Sequence, residues 1–367
     1  MPYLAPDPPL TLFDLPSLVR AGREHDAAPD GLFFASGRAA LLAGLRALGI
    51  GAGDEVLLPA YLCESVVTPV VAVRARPVFF PVGKGFDVDL AAIEAAIGPR
   101  TRAVVLIHYL GFPGPVEAVR EVCRRRGVAL IEDCAHALFS RDGDHLLGSF
   151  GDLAIFSPWK SLPLPDGGLL RVNRPDLRPS VPAQAAPARR TAAKLAYRAL
   201  GGVEQLVGWS PRLALLQRQA LRKSLHDQVS AGPVELLAGS EVARRLLRGA
   251  SAAHVAGRRR RNFARLLDVC HNLAWAQPVF HTLSEGVCPL GLPLVAEDRD
   301  GWRDQLLRRG VNVRTYWEQL PPAVDPAHFP DAAWLRDRIL VLPVHQGLPS
   351  DGVEWLARLL PSLSERT

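Results

Sequence analysis

Between residues 31 and 175 short apolar runs alternate with amphipathic segments, and this rhythm constrains the fold more than any other feature of the chain. Glu55–Leu58, Pro77–Phe80, Ala103–Ile107 and Val128–Ile131 read as strands buried on both faces. Cys63–Val73, Asp89–Ile97 and Val116–Arg126 read as the helices between them. Asp87 or Asp89 is placed to cap the second helix, and Pro115 suits the first turn of the third. Strand, helix, strand in repetition predicts an α/β fold with a mostly parallel sheet covered on both faces. Leu153–Phe156 and Leu169–Val172 follow with no full helix between them, so an antiparallel strand is expected here.

The rhythm then changes. Residues 174–190, RPDLRPSVPAQAAPARR, are rich in Pro, Ala and Arg and read as a loop or linker. Ala192–Leu225 and Val234–Leu247 read as helical, with breaks near Gly201–Gly202 and Gly232–Pro233. A long helix is expected over about Ser251–Asn272. Leu290–Val295, Asp300–Arg309, Val311–Thr315 and Gly352–Leu363 then mix strand and helix, as a smaller α+β domain would. The expected division is a large domain over residues 1–250, including a divergent helical segment over 174–250, and a small domain over 251–367.

Composition narrows the function. With 367 residues, 48% hydrophobic and 22% charged, the chain is globular in type. No run is long enough to span a bilayer, and MPYLAPDPPL has no basic segment ahead of an apolar one, so a cytoplasmic protein with no membrane partner is expected. The five cysteines form no CxxC pair, which speaks against a disulfide scaffold or a structural zinc site, and no metal is expected. A net charge of +6, spread out apart from Arg258–Arg261, does not mark a nucleic-acid binder. Of 43 basic residues only Lys84, Lys160, Lys194 and Lys223 are lysines, and arginine cannot form an imine with a carbonyl group.

Three motifs carry candidate chemistry. In Ser36-Gly37-Arg38-Ala39-Ala40-Leu41, Ser36 caps a helix whose free N–H groups form a phosphate site, and Arg38 can add charge. By itself the motif is also an ordinary capped helix. In Leu130-Ile131-Glu132-Asp133-Cys134-Ala135-His136 an apolar strand ends in two carboxylates, where ligands of open α/β sheets sit. Such acids also cap following helices. In Phe156-Ser157-Pro158-Trp159-Lys160, followed by Asp166-Gly167-Gly168, a lysine is hemmed in by Trp, Leu and Pro. A rigid, partly apolar setting lowers an amine pKa and makes it nucleophilic, although an isolated lysine is more often a solvated one. In this order, a phosphate cradle, an acid for a pyridine nitrogen and an amine for an aldehyde are the parts that hold pyridoxal 5′-phosphate.

The stretches SGRAALLAGLRALGIGAGDEVLLPAY, RTRAVVLIHYLGFPGPVEAVREVCRRRGVALIEDCAHAL and GSFGDLAIFSPWKSLPLPDGG resemble the DegT/DnrJ/StrS family of pyridoxal-phosphate-dependent aminotransferases. Likeness returns at RRGVNVRTYWEQL and ILVLPVHQGL. The resemblance implies fold type I, with a mostly parallel seven-stranded sheet in the large domain and a smaller α+β C-terminal domain. It implies that Lys160 bonds the cofactor aldehyde and shuttles a proton, that Asp133 pairs with the ring nitrogen, and that His136 lies by the ring oxygen. Gly37, Arg38 and Ser157 would hold the phosphate. Cys63 stands in the segment after PAY where the family places a ring-covering aromatic residue, with Leu62 and Tyr61 beside it. A homodimer with its sites at the subunit interface is also implied.

The activity implied is transfer of an amino group from glutamate or glutamine to a keto or aldehyde acceptor, such as a keto-sugar nucleotide, in a biosynthetic pathway. The altered ring-covering position leaves open a dehydration, cyclisation or oxidation with the same cofactor, or a non-catalytic regulator of this fold. Of the remaining residues, His108 and Tyr109 follow a strand and can line the site or pack behind it. Arg314 and His345 fit a structural role or a substrate contact. Cys134 reads as a small buried filler, and Arg258–Arg261 as partly a solvated helix face.

Overall fold

The computed structural model describes residues 3–10, 29–181, 184–207 and 233–363. Its main sheet contains β1 (Leu32–Phe34), β2 (Glu55–Pro59), β3 (Arg76–Phe80), β4 (Thr101–Ile107) and β5 (Ala129–Asp133). After a small hairpin of β6 (Arg141–Asp142) and β7 (His145–Leu146) come β8 (Leu153–Phe156), β9 (Gly168–Val172), β10 (Gln184–Ala185) and β11 (Leu237–Ala238). The order is β10-β11-β1-β9-β8-β5-β4-β2-β3. From β8 to β3 every neighbour is parallel, whereas β9 runs antiparallel to β8 and β1 antiparallel to β9. The seven longer strands are thus the expected mostly parallel sheet, with the antiparallel entry at β9. Two two-residue strands extend its edge.

The helices α1 (Gly37–Ala47), α2 (Glu64–Ala72), α3 (Leu90–Ala96) and α4 (Val116–Arg126) cover this sheet. Ser36 caps α1, its hydroxyl accepting from the Ala39 amide at 3.2 Å, and residues Ala39–Leu45 of the helix are buried. Of the two candidate caps for α3, Asp89 serves, accepting from the Ala91 amide at 2.8 Å. Pro115 is the residue before the first turn of α4 rather than inside it.

Helix α5 (Ala188–Val207) begins inside the segment read as a linker, and the rest of the helix expected to Leu225 lies outside the described residues. The helix expected from Val234 begins only at Glu241, as α6 (Glu241–Arg248). The residues ahead of it are drawn into the sheet: the Ala35 amide donates to Leu237 at 2.8 Å and Phe34 pairs with Ala238. Tertiary pairing has overridden local helical preference here.

Helix α7 (Ala252–Cys270) leads into a small antiparallel sheet of β12 (Gln277–Pro278), β13 (Gly291–Val295) and β14 (Ile339–Pro343). With α8 (Arg299–Arg308), α9 (Pro330–Arg338) and α10 (Ser350–Ser362) these complete the described chain. Alternation on β14 is two-sided: Leu340 and Leu342 join a core with Phe263, Leu266 and Leu356, while Ile339 and Val341 join the core of the large sheet. Val311–Thr315 forms no ladder but two single bridges, Val311 to Leu4 and Arg314 to Val341.

Candidate active site

Strands β4, β5 and β8 are parallel neighbours, so their carboxyl ends open on one side of the sheet, where α/β folds bind ligands. A cleft there is lined by Gly37, Arg38, Cys63, Asp133, His136, Ser157 and Lys160. These are the seven positions to which the resemblance gave catalytic or cofactor-facing places, and they meet around one space. Leu41, Val66, Ile107 and Ile155 add apolar wall, and Trp317 closes a side.

The start of α1 is packed tightly against the lysine segment. A Cβ on Gly37 would stand 2.5 Å from the Ser157 hydroxyl, and one on Gly168 would stand 2.1 Å from the Ser36 backbone. Only glycine fits at 168, where the neighbour is backbone, and a side chain at 37 would have to displace the Ser157 hydroxyl, so the helix start and that hydroxyl face the same small volume. Nε and Nη1 of Arg38 are buried there with no hydrogen-bond partner, and burial depresses the guanidinium pKa. Orphaned cationic donors at a helix N-terminus fit an anion such as a phosphate.

Asp133 ends β5, with Oδ1 accepting from the Ala135 amide at 2.9 Å. Burial raises its pKa, while Lys160 and that amide pull the other way. Lys160 sits in a short turn after β8, its amide bonded to the Ser157 carbonyl at 3.0 Å. Burial lowers its pKa and Asp133 opposes the shift, so the amine is held closer to neutrality than a solvated lysine.

His136 is buried, and burial pushes its pKa well down, with Lys160 and Arg314 adding to the effect. Its Nδ1 accepts from the Leu110 amide at 3.3 Å, which leaves the proton of the neutral ring on Nε2. Leu110 and Trp317 both adopt left-handed backbone, at φ 53° and 52°. Trp317 lies flat against His136, with ring centroids 5.7 Å apart and planes 6° apart. Strain of this kind persists where surrounding structure fixes it, often at functional sites. Trp317 belongs to the RTYWEQL stretch, but nothing local marked it as part of the site.

Leu62 and Tyr61 do not line the cleft. Tyr61 is buried in an aromatic cluster with Phe86, Tyr109 and Trp317, and its hydroxyl donates to the Tyr316 carbonyl at 3.1 Å. His108 and Tyr109 pack behind the site. Tyr109 donates its hydroxyl to the Tyr61 carbonyl. His108 Nε2 pairs with Glu132 at 3.1 Å while its Nδ1 accepts from the Gly114 amide. Glu132 also accepts from the amides of Gly148, Phe150 and Gly151 at 2.7–2.8 Å. Burial opposes its charge, but His108 and the Gly151 and Gly148 amides hold the carboxyl below its ordinary range. His108, Glu132 and Cys134 cluster closely enough for a metal, yet the Glu132 oxygens and His108 nitrogens are already engaged.

Of Arg258–Arg261, read as partly a solvated face, Arg259 is the member that turns inward. It is buried and donates to the carbonyls of Ser161, Pro289 and Leu290 and to Gln346. Arg258 and Arg260 reach carbonyls of Leu348, Ser284 and Val287. On its other side Lys160 borders a second, smaller cavity with Asp7, Trp159, Arg314, Tyr316 and His345. The N-terminal segment that supplies Asp7 carried no motif.

The sequence profile of the DegT/DnrJ/EryC1/StrS aminotransferase family matches residues 23–217. The chain is 30% identical over 337 residues to dTDP-4-dehydro-2,3,6-trideoxy-D-glucose 4-aminotransferase of Saccharopolyspora spinosa, covering 89% of this chain and 82% of that enzyme. It is 40% identical over 144 residues to UDP-N-acetyl-3-dehydro-alpha-D-glucosamine 3-aminotransferase of Acidithiobacillus ferrooxidans, where the match spans 38% of this chain and 39% of that enzyme. Among solved structures, DesV of S. venezuelae superposes with a TM-score of 0.70 over 97% of this chain and 95% of its own, at 24% identity, which shows the shared fold. The chain belongs to the DegT/DnrJ/EryC1/StrS aminotransferase family.

Proposed function

We propose that the chain transfers an amino group from an amino-acid donor, glutamate or glutamine, to a keto or aldehyde acceptor, most directly a keto-sugar nucleotide, using pyridoxal 5′-phosphate. The observation that carries this is the meeting of Lys160, Asp133 and the unpartnered Arg38 guanidinium around one cleft. The keto-sugar class is supported by the Saccharopolyspora spinosa relative, whose match spans 89% of this chain.

The residues fit the cofactor. Backbone N–H groups of Gly37 and Arg38, the Arg38 guanidinium and the Ser157 hydroxyl would hold its phosphate. Asp133, ionised, would keep the ring nitrogen protonated, and the neutral His136 would donate from Nε2 to the ring oxygen. When bound, the cofactor supplies the electron sink that makes the donor α-carbon acidic. Lys160, whose amine is held toward neutrality, would take that α-proton and return it on the cofactor side. The apolar wall of Leu41, Val66 and Ile155 and the Trp317 ring would exclude water from the amine. We read the working form as a homodimer, which light scattering of the purified protein tests.

The test is an absorption spectrum with added pyridoxal phosphate, then borohydride reduction and peptide mapping. The label is expected on Lys160, and Lys160→Ala is expected to lose both label and ping-pong transamination. Turnover by Lys160→Ala, or a label elsewhere, would overturn the reading.

A further inference from the structure

Residues Tyr3–Leu10 run as a strap along the side of the cleft beyond Lys160. Leu4 is buried and pairs its backbone with Gly310 at 2.9 Å and Asn312 at 3.0 Å. His345 Nε2 donates to the Ala5 carbonyl at 2.9 Å, and Arg198 donates to the Pro8 carbonyl at 3.2 Å. These anchors hold Asp7 between two prolines and present its carboxylate to Arg314, with Arg198 3.8 Å away on the other oxygen.

Arg314 is fixed from behind. Its backbone exchanges hydrogen bonds with Val341 of β14 at 2.8 and 3.1 Å, so the small sheet sets where the guanidinium stands. It lines a cavity with Lys160, Trp159 and Tyr316. That cavity measures only about 40 Å³, room for a water or two but not for an amino acid. The Asp7 carboxylate sits on the Arg314 guanidinium and lines the same cavity.

We propose that Arg314 receives a carboxylate of the amino donor, and that Asp7 is an internal stand-in for that carboxylate which the donor must displace. The inference rests on the aminotransferase reading for the identity of its ligand. The chemistry matches: a carboxylate on a short stem, held by an arginine beside the amine that must meet the donor. Displaced from Arg314, Asp7 keeps Arg198 as a partner, so opening strands no buried charge. Competition of this kind lowers apparent affinity by the population of the closed form.

The experiment is calorimetric titration with glutarate, a dicarboxylate that has no amine to react, on the purified chain with and without pyridoxal phosphate. Asp7→Asn is expected to tighten glutarate binding by about tenfold. Arg314→Gln is expected to weaken it by at least about tenfold in both the native and the Asp7→Asn background. In turnover, the KM for the amino donor falls in Asp7→Asn. Unchanged or weaker glutarate binding in Asp7→Asn would mean that Asp7 only orients Arg314, and would overturn the proposal. So would an Arg314→Gln protein that binds glutarate as well as its parent. Asp7→Ser gives the same reading if the amide variant folds poorly, with melting temperatures measured alongside. A chain that takes up no cofactor yet shows the Asp7 effect sinks the aminotransferase reading and not the carboxylate site. A chain that takes up cofactor on Lys160 without the effect does the reverse.

Discussion

Arg38 shows how one side chain can declare its ligand. Arginine nitrogens buried without partners are costly, as Nε and Nη1 of the half-buried Arg38 are, and proteins keep such groups where something anionic completes them. Arg38→Gln is therefore expected to weaken pyridoxal phosphate binding by about 1.5–3 kcal/mol, roughly 10- to 150-fold. Pyridoxal, which lacks the phosphate, should bind both proteins alike, and equilibrium dialysis with each compound checks the pair. His345 carries a different consequence. Burial pushes its pKa down to about 3, with the Ala5 hydrogen bond opposing and Arg259 assisting. Between that value and the ordinary histidine pKa near 6.5, the unfolded chain holds a proton that the folded chain refuses. Stability should therefore fall as pH drops from about 6.5 toward 3, by up to about 5 kcal/mol from this residue. Melting curves across that window should be less steep in pH for His345→Gln than for the native chain.

At the scale of elements, the position of the cleft depends on how β5 is tied to β8. Glu132, one residue before Asp133, binds three amides in the turn that leads into β8, with His108 as a fourth partner. The carboxylate is a staple: it fixes the end of the strand bearing Asp133 against the strand leading to Ser157 and Lys160. Glu132→Gln replaces an acceptor oxygen with an N–H₂ that faces amide donors. A loss of about 3 kcal/mol in unfolding free energy is expected, measured by urea titration, with cofactor affinity falling in parallel. The start of α1 is tied as closely, since Gly168 leaves no space for a side chain against Ser36.

For the molecule as a whole, the small sheet has two working faces. Leu340 and Leu342 look into its own helices, and Ile339 and Val341 into the core of the large sheet. Arg259 bridges the same boundary, joining the carbonyl of Ser161, next to Lys160, to those of Pro289 and Leu290. Burial depresses its pKa, and the surrounding carbonyls compensate for the charge. Arg259→Met should cost about 3 kcal/mol through stranded carbonyls, and should loosen the segment that follows the lysine. Calorimetry would show the lower melting temperature, and a slower reaction of pyridoxal phosphate with Lys160 would show the looser site. No helix among the described residues is long and apolar enough to cross a membrane.

Much of this was legible in the chain itself. Apolar periodicity gave β2, β3, β4, β5, β8 and β9 and the helices α2 to α4, because each buries a face that only its own spacing can supply, whereas the exposed two-residue strands β6 and β7 left no such mark. The three motifs at Ser36, Asp133 and Lys160 stood in order along the sequence, and their residue types carry the chemistry that the cleft gathers. Local preference misplaced the start of α6, because pairing with β1 outweighs helix propensity before Glu241. It also could not say which of Arg258–Arg261 turns inward, because a four-arginine run hides that choice. Only the tertiary structure placed Trp317 on His136 and Asp7 on Arg314, partners 181 and 307 positions apart. Periodicity reports which face of an element is buried. It carries no information about what a distant segment lays against that face, and that was settled by packing.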